Sequence, residues 1–159
     1  MREHIDIIYS LYKNDLNSTF TLNLTFVYKM ALDDGSVLVL DDEFDIINPI
    51  KHSLQTIGLH VYAFTDPLLA LEHFRINYKD YILVISDIRM PGMNGFEFVR
   101  RIRDINPVTK VLLMSAFEIN STELSIGLGG ATIEGFIQKP ISLHELNIVV
   151  QKHINGLKL

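Results

Sequence analysis

The residues best suited to chemistry are polar side chains that each follow an apolar run of the chain. They are Asp41, Asp42, Asp87, Ser115 and Lys139. Each lies where a predicted β-strand ends, and open α/β sheets bind ligands beyond the carboxyl ends of their strands. We therefore expect these side chains to meet. Close carboxylates repel one another unless a cation lies among them. Oxygen ligands favour a hard ion, here Mg²⁺, which is normally completed by substrate phosphate.

This pattern predicts phosphoryl chemistry. A carboxylate can attack phosphorus and form an aspartyl phosphate. Lys139 can neutralise a phosphoryl oxygen, and the Ser115 hydroxyl can donate a hydrogen bond to another. Each residue also has a plainer interpretation, because acids such as Asp41 and Asp42 stabilise the N-terminus of a following helix and an isolated lysine is usually solvated. The phosphoryl interpretation rests on finding all of them together.

Strand-like and helical patterns alternate from residue 36 to residue 157. The predicted strands are Val37–Leu40, Leu59–Phe64, Tyr81–Ile85, Val111–Met114 and Ile133–Ile137. An amphipathic helix is predicted after each strand, and the fourth is the weakest because Gly127, Gly129 and Gly130 crowd it. Such alternation is typical of βαβ units with a parallel sheet. We predict an α/β fold with a doubly wound, five-stranded parallel sheet, a flavodoxin-like (βα)5 architecture, in the strand order 2-1-3-4-5.

Hydrophobic content, net charge and the lack of cysteine limit the classes of protein to which the chain can belong. The chain has 159 residues with 48% hydrophobic residues, which suits a globular domain with a sizeable core. Its net charge of −5 does not favour a nucleic-acid surface, and the absence of cysteine excludes disulfides and thiolate metal sites. The sequence contains no apolar run long enough to span a membrane and no apolar signal core, so a cytoplasmic location is expected.

Residues 1–35 differ from the rest of the chain and carry no chemical motif. Ile5 to Leu16 has helical spacing, and Phe20 to Tyr28 alternates with a period of two, as a strand does. We treat residues 1–35 as an N-terminal extension of unknown role. Two alternatives stay open: an extra helix and strand, or an artefactual start upstream of Met30.

Four motifs in a fixed order carry a resemblance to a known family. They are Val37–Glu43 (VLVLDDE), Val84–Gly95 (VISDIRMPGMNG), Met114–Ala116 (MSA) and Phe136–Pro140 (FIQKP). Together they resemble the motifs of response-regulator receiver domains of two-component systems. The resemblance runs from about Val37 to Ile154, and residues 36–157 are taken as the receiver domain. Since no further domain follows the last predicted helix, a stand-alone receiver is expected.

The resemblance implies a role for the acidic residues. Asp87 matches the phosphoacceptor. Asp41 and Asp42 match the acidic pair that holds Mg²⁺ directly or through water, and the backbone carbonyl of Arg89 matches a further protein ligand. Asp87 is a ligand in the same set. The Arg89 side chain is a bulky cation near the expected path of the attacking water, which predicts an effect on the lifetime of the phosphoryl group.

Three further roles follow from the resemblance. Ser115 matches the hydroxyl residue that senses the phosphoryl group, and Phe136 matches the aromatic switch residue that swings inward when Ser115 moves. Lys139 matches the family's lysine, and its bond to Pro140 is expected to be cis.

The function implied is acceptance of a phosphoryl group on Asp87 from a phospho-histidine donor. The donor is a histidine kinase or a histidine phosphotransfer protein, and signalling proceeds by contacts with a downstream protein. A homodimer through the fourth helix, fifth strand and fifth helix is allowed. The domain is expected to catalyse its own phosphorylation and dephosphorylation without turning over a separate substrate.

The main alternative is an unphosphorylated receiver-like interaction module. A phosphatase with an aspartyl nucleophile is disfavoured because Ile88 and Arg89 follow Asp87, where such enzymes usually have a second acid. A flavin carrier is disfavoured because the first strand ends in acids rather than in a Gly/Ser/Thr phosphate loop.

Overall fold

The computed structural model describes residues 35–155. The predicted helix and strand of the N-terminal extension lie outside the described residues, as does the end of the predicted receiver domain at residue 157. None of the helices in the described part of the chain combines the length and apolar character needed to span a membrane.

Strands and helices alternate throughout the described residues. The strands are β1 (Ser36–Leu40), β2 (His60–Phe64), β3 (Tyr81–Asp87), β4 (Lys110–Ser115) and β5 (Gly135–Gln138). The helices are α1 (Phe44–Thr56), α2 (Pro67–Asn77), α3 (Gly95–Ile105), α4 (Ser121–Leu128) and α5 (Leu143–Asn155). All strand pairs are parallel, and their order is β2-β1-β3-β4-β5. The predicted fold and strand order are therefore confirmed.

The central strands are apolar at almost every position because both faces of the sheet are covered. On one face, Val39 and Ile85 belong to a buried cluster with residues of α1 and α5. On the other face, Leu38 and Val84 belong to a cluster with residues of α2 and α3. Successive residues of one strand thus pack into the clusters on opposite faces of the sheet. Helices cover both faces, which is the doubly wound arrangement.

Side-chain caps fix where three of the helices begin. The Asp66 carboxylate accepts from the Leu68 amide at 2.7 Å, directly before Pro67 at the first turn of α2. Asn94 caps α3, and Asn120 caps α4. Such caps satisfy amides that the first helical turn leaves unpaired.

Several predicted strand boundaries differ from the structure by one or two residues. β5 begins at Gly135 rather than Ile133, and in the loop just before it the Thr132 carbonyl accepts hydrogen bonds from the Arg103 guanidinium. The fourth helix ends at Leu128, so only one of the three glycines lies within it. Gly129 ends the helix with a left-handed φ of 55°, which glycine adopts without steric cost.

Candidate functional site

The sheet register places two acidic residues side by side at the carboxyl ends of β1 and β3. Leu40 pairs with Ser86 across these strands. The next residues, Asp41 and Asp87, therefore leave neighbouring strands together. Lys139 follows β5, and its Nζ lies 2.6 Å from Asp41 Oδ2 and 2.6 Å from Asp87 Oδ1. Three of the predicted site residues thus meet in one cluster, which we call the acidic site (Asp41, Asp87 and Lys139).

Each carboxylate of the acidic site is bound on both oxygens. Asp41 is fully buried, and its Oδ1 accepts from the Glu43 amide at 3.0 Å. Asp87 is 5% exposed, and its Oδ2 accepts from the Arg89 amide at 2.7 Å. The lysine therefore binds one oxygen of each acid and the following loop binds the other. This leaves Asp87 held in a fixed orientation at the end of its strand.

Burial and ion pairing act against each other in this cluster. Burial raises the pKa of the Asp41 carboxyl above its ordinary value, although the hydrogen bonds from Lys139 and the Glu43 amide oppose the shift. Burial alone would lower the pKa of Lys139, but its hydrogen bonds to Asp41 and Asp87 outweigh that effect and the pKa is raised. Lys139 therefore remains a cation at neutral pH, and ionised Asp41 is held there at an energetic cost.

The donor set fits a magnesium ion. Two buried carboxylates share one ammonium group, so the acidic site has an excess of negative charge when both acids are ionised. Hard cations with oxygen ligands suit such a site. The structure brings together two of the three predicted carboxylates, while Asp42 is exposed. Within residues 35–155 no three Asp, Glu or His side chains form a group that would hold an ion by themselves. Further donors would therefore have to include backbone carbonyls, such as the predicted Arg89 carbonyl, or water.

Ser115 ends β4 one strand away from Asp87 and is 6% exposed. Its hydroxyl donates to the Phe117 carbonyl at 2.7 Å and accepts from the Phe117 amide at 3.1 Å. Its backbone carbonyl accepts from the Lys139 amide at 2.8 Å, which ties the lysine loop to β4. The hydroxyl is thus turned toward its own loop.

Two further predicted features belong to the edge strand β5 and the loop that follows it. Phe136 lies on β5 and is 43% exposed, so its ring faces outward. The bond between Lys139 and Pro140 is cis, as predicted.

Two residues that shape the site, Gly95 and Phe117, have no role predicted from the sequence. A Cβ at Gly95 would lie 2.8 Å from the Ile88 Cα, so glycine allows α3 to begin against the backbone next to Asp87. The only sequence signal was its place in the loop motif. Phe117 binds Ser115 through its backbone, and the Arg89 guanidinium lies 4.4 Å from the centre of its ring. No spacing in the sequence indicated that contact.

The model of the response regulator receiver domain matches residues 37–151 of the chain. The chain belongs to this family. The receiver is 34% identical over 116 residues to a putative two-component response regulator of Arabidopsis thaliana, a match covering 73% of the chain and 18% of that protein. It is 28% identical over 120 residues to the autoinducer 1 sensor kinase/phosphatase LuxN of Vibrio harveyi, covering 76% of the chain and 14% of that protein. The receiver therefore spans less than a fifth of each of these relatives.

Solved structures agree with the fold of the receiver. The chemotaxis protein CheY4 of Vibrio cholerae matches with a TM-score of 0.65 and 28% identity, over 74% of this chain and 97% of that one. A response regulator receiver domain protein from Clostridium thermocellum matches with a TM-score of 0.68 and 27% identity, over 78% of this chain and 97% of that one.

Proposed function

We propose that the receiver accepts a phosphoryl group on Asp87 from a phospho-histidine donor in a Mg²⁺-dependent reaction. The observation that carries this proposal is the environment of Asp87. Its carboxylate is buried, oriented by the Arg89 amide and paired with Lys139 beside a second buried acid, Asp41. A carboxylate fixed in this way is suited to in-line attack on phosphorus.

The transfer step balances in bonds and charges. A carboxylate oxygen of Asp87 forms the new P–O bond while the P–N bond of the donor breaks and the imidazole leaves. The phosphoryl group adds negative charge at Asp87, beside the Lys139 ammonium group. Lys139 therefore stabilises the charge on the phosphoryl oxygens during the transfer. In the reverse half of the cycle, water attacks phosphorus, phosphate leaves and the Asp87 carboxylate is restored. No separate substrate is turned over.

We assign Asp41, Asp42, Asp87 and the Arg89 carbonyl as the groups that would hold Mg²⁺. When bound, the ion supplies positive charge to the phosphoryl oxygens. The residues of the chain provide the rest: Asp41 and Asp87 supply hard oxygen ligands, Lys139 neutralises charge, and the Arg89 amide fixes the nucleophile. Asp42 is exposed beside Asp41 and is therefore accessible for a contact through water.

Signalling is proposed to proceed through protein contacts. We assign Ser115 as the residue that responds to the phosphoryl group, and Phe136, on the neighbouring strand, as the aromatic switch. Large apolar side chains are exposed along α4, β5 and α5, namely Ile126, Phe136, Leu143 and Ile148. Exposed apolar side chains on these three elements support a protein partner, either a downstream target or a second copy of the receiver.

The test is acceptance of a phosphoryl group from a small donor. The purified chain is incubated with acetyl phosphate and Mg²⁺, and its intact mass is recorded with time. We expect one added phosphoryl group, which disappears in Asp87→Asn and with a chelator. Asp45→Asn, which removes an exposed acid of α1, serves as the matched control and should be labelled like the wild type. A folded wild-type protein that gains no mass would favour the alternative, an unphosphorylated interaction module.

A further inference from the structure

Arg89 and Phe117 form a contact across two loops of the receiver. The Arg89 guanidinium lies 4.4 Å from the centre of the Phe117 ring, within the range of an attractive cation–π interaction. Arg89 is in the loop that joins β3 to α3, and Phe117 is in the loop that joins β4 to α4. Both side chains are exposed, and Phe117 is 56% exposed. We call this pair the clasp.

Each half of the clasp is attached to a residue of the proposed reaction. The Arg89 amide donates to Asp87 Oδ2 at 2.7 Å. The Phe117 amide and carbonyl both bind the Ser115 hydroxyl, at 3.1 Å and 2.7 Å. The clasp thus connects the proposed nucleophile, Asp87, with the hydroxyl residue, Ser115. The sequence positions of Arg89 and Phe117 do not predict this connection.

The hydrogen bonds of Ser115 make the clasp relevant to the reaction. A serine hydroxyl has one proton to donate, and here that proton is bound by the Phe117 carbonyl. Ser115 can donate to a phosphoryl oxygen on Asp87 only after it releases this carbonyl. The release is opposed as long as the Phe117 ring is held by Arg89.

We propose that the Arg89–Phe117 clasp holds the β4–α4 loop in a resting position, with Ser115 turned toward Phe117, and that phosphorylation of Asp87 opens it. The inference rests on the proposed function. A phosphoryl group carries more negative charge than the carboxylate it modifies. It therefore attracts the Arg89 guanidinium, two residues away, and competes with the Phe117 carbonyl for the Ser115 proton. Phosphorylation therefore weakens both contacts that hold the loop, the Arg89–Phe117 contact and the hydrogen bond from Ser115 to the Phe117 carbonyl.

The resting clasp can be detected without any phosphoryl donor. The chain contains six tyrosines but no tryptophan, so Phe117→Trp introduces one indole that can be excited selectively and whose ring also binds cations. Acrylamide quenching of this indole should increase roughly two-fold when Arg89→Gln is added, because the ring loses its cover. Arg89→Lys should retain much of the protection. Arg75→Gln, which removes an arginine paired with Glu72 on α2, is the matched control and should leave quenching unchanged.

Opening is measured in the same protein. Acetyl phosphate and Mg²⁺ should raise the quenching of the Phe117→Trp protein toward the level of its Arg89→Gln variant, in step with the gain in mass. Adding Asp87→Asn should abolish the rise. As a kinetic readout, Phe117→Leu should be phosphorylated roughly two to five times faster than Phe117→Tyr, because only the tyrosine ring preserves the cation–π contact.

The outcomes separate the inference from the proposed function. A protein that is labelled on Asp87 without any change in quenching would overturn the clasp as a phosphorylation-sensitive contact. Equal quenching of the Phe117→Trp protein with and without the Arg89→Gln substitution would overturn the resting clasp itself. Failure of the wild-type chain to be labelled would overturn the proposed function and the opening step together. Labelling accompanied by an Arg89-dependent rise in quenching supports both.

Discussion

At the residue scale, the receiver is organised around one lysine between two buried acids. Lys139 lies 2.6 Å from both Asp41 and Asp87 and compensates part of their charge. Removal of one partner from a buried ion pair leaves charge without compensation, which is more damaging than loss of a surface pair. Lys139 therefore stabilises the fold as well as serving the proposed reaction.

Lys139→Met should lower the free energy of unfolding by about 3 kcal/mol at neutral pH, because two buried carboxylates lose their counter-charge. Urea denaturation followed by circular dichroism measures the change. Lys152→Met, at an exposed position of α5, is the control and should change stability by less than about 0.5 kcal/mol. Equal effects of the two substitutions would contradict the structural role of Lys139.

Asp41 gives the receiver a defined pH dependence. Burial raises the pKa of its carboxyl above the ordinary value of 3.8, so the native state binds its proton more tightly than the unfolded state does. The contribution of Asp41 to stability therefore falls as pH rises from 3.8 through the native pKa. Asp41→Asn should gain stability relative to the wild type over that interval, with little gain below it.

Urea unfolding of the wild type and Asp41→Asn at a series of pH values tests this dependence. Asp42→Asn, at the exposed neighbouring position, controls for the loss of one acidic charge. The stability advantage of Asp41→Asn over the wild type should grow as pH rises above 3.8. An advantage that shrinks with rising pH would contradict the raised pKa of Asp41.

The residues of the acidic site were predictable because each follows an apolar run, and parallel strands direct their carboxyl ends to the same edge. The clasp was not predictable. Its contact depends on where two loops lie relative to each other, and loops have no periodicity from which that distance can be inferred. The outward position of Phe136 likewise depends on the packing of a side chain rather than on the strand pattern.

At the element scale, two glycines set how closely α3 and α4 approach their neighbours. The helix propensity of glycine predicts that Gly127 weakens the fourth helix, but a Cβ there would lie 2.5 Å from the Phe96 ring. The glycine is thus required by the close packing of α4 against α3. Sequence alone gives the helix propensity of glycine and not the neighbour it faces.

Gly127→Ala should destabilise the receiver by about 1–2 kcal/mol, because overpacking against Phe96 outweighs the gain in helix propensity. Phe96→Leu removes the ring that the new methyl group would meet. The double substitution should therefore be more stable than the sum of the single effects predicts, by about 1 kcal/mol. Thermal or urea unfolding of the four proteins gives this coupling, and strict additivity would contradict the packing explanation.

Gly95→Ala tests how α3 is positioned against the proposed nucleophile. A Cβ at this residue would lie 2.8 Å from the Ile88 Cα and 3.0 Å from the Asp87 carbonyl carbon. Backbone cannot yield as a side chain does, so we expect a loss of at least about 2 kcal/mol of stability and a slower gain of phosphoryl mass. Gly58→Ala is the control: its substitution is also strained, at a φ of 89°, but its Cβ would meet no atom within 4 Å.

A Gly58→Ala protein that loses stability yet is phosphorylated at the wild-type rate would separate general strain from displacement of Asp87. Equal phosphorylation rates for Gly95→Ala and Gly58→Ala would contradict the role of Gly95 in positioning Asp87.

At the scale of the whole molecule, alternation of strands and helices was sufficient to predict the sheet. Runs such as Val37–Leu40 are apolar at successive positions because helices cover both faces, and that pattern is visible in sequence. The start of β5 was less predictable, and the loop before it is bonded through Thr132 to Arg103, a residue distant in sequence. The predictions for residues 1–34 remain predictions, since they lie outside the described residues.

The central claim is that the phosphoryl group is carried by Asp87. The most direct measurement is hydroxylamine treatment of the chain after reaction with acetyl phosphate and Mg²⁺, followed by peptide mass spectrometry. Hydroxylamine attacks the acyl carbon of an aspartyl phosphate, releases phosphate and leaves a hydroxamate on the same residue. We predict a hydroxamate on Asp87 and on no other acid. A hydroxamate on Asp41 or Asp42, or none in a protein that gained phosphoryl mass, would contradict the account.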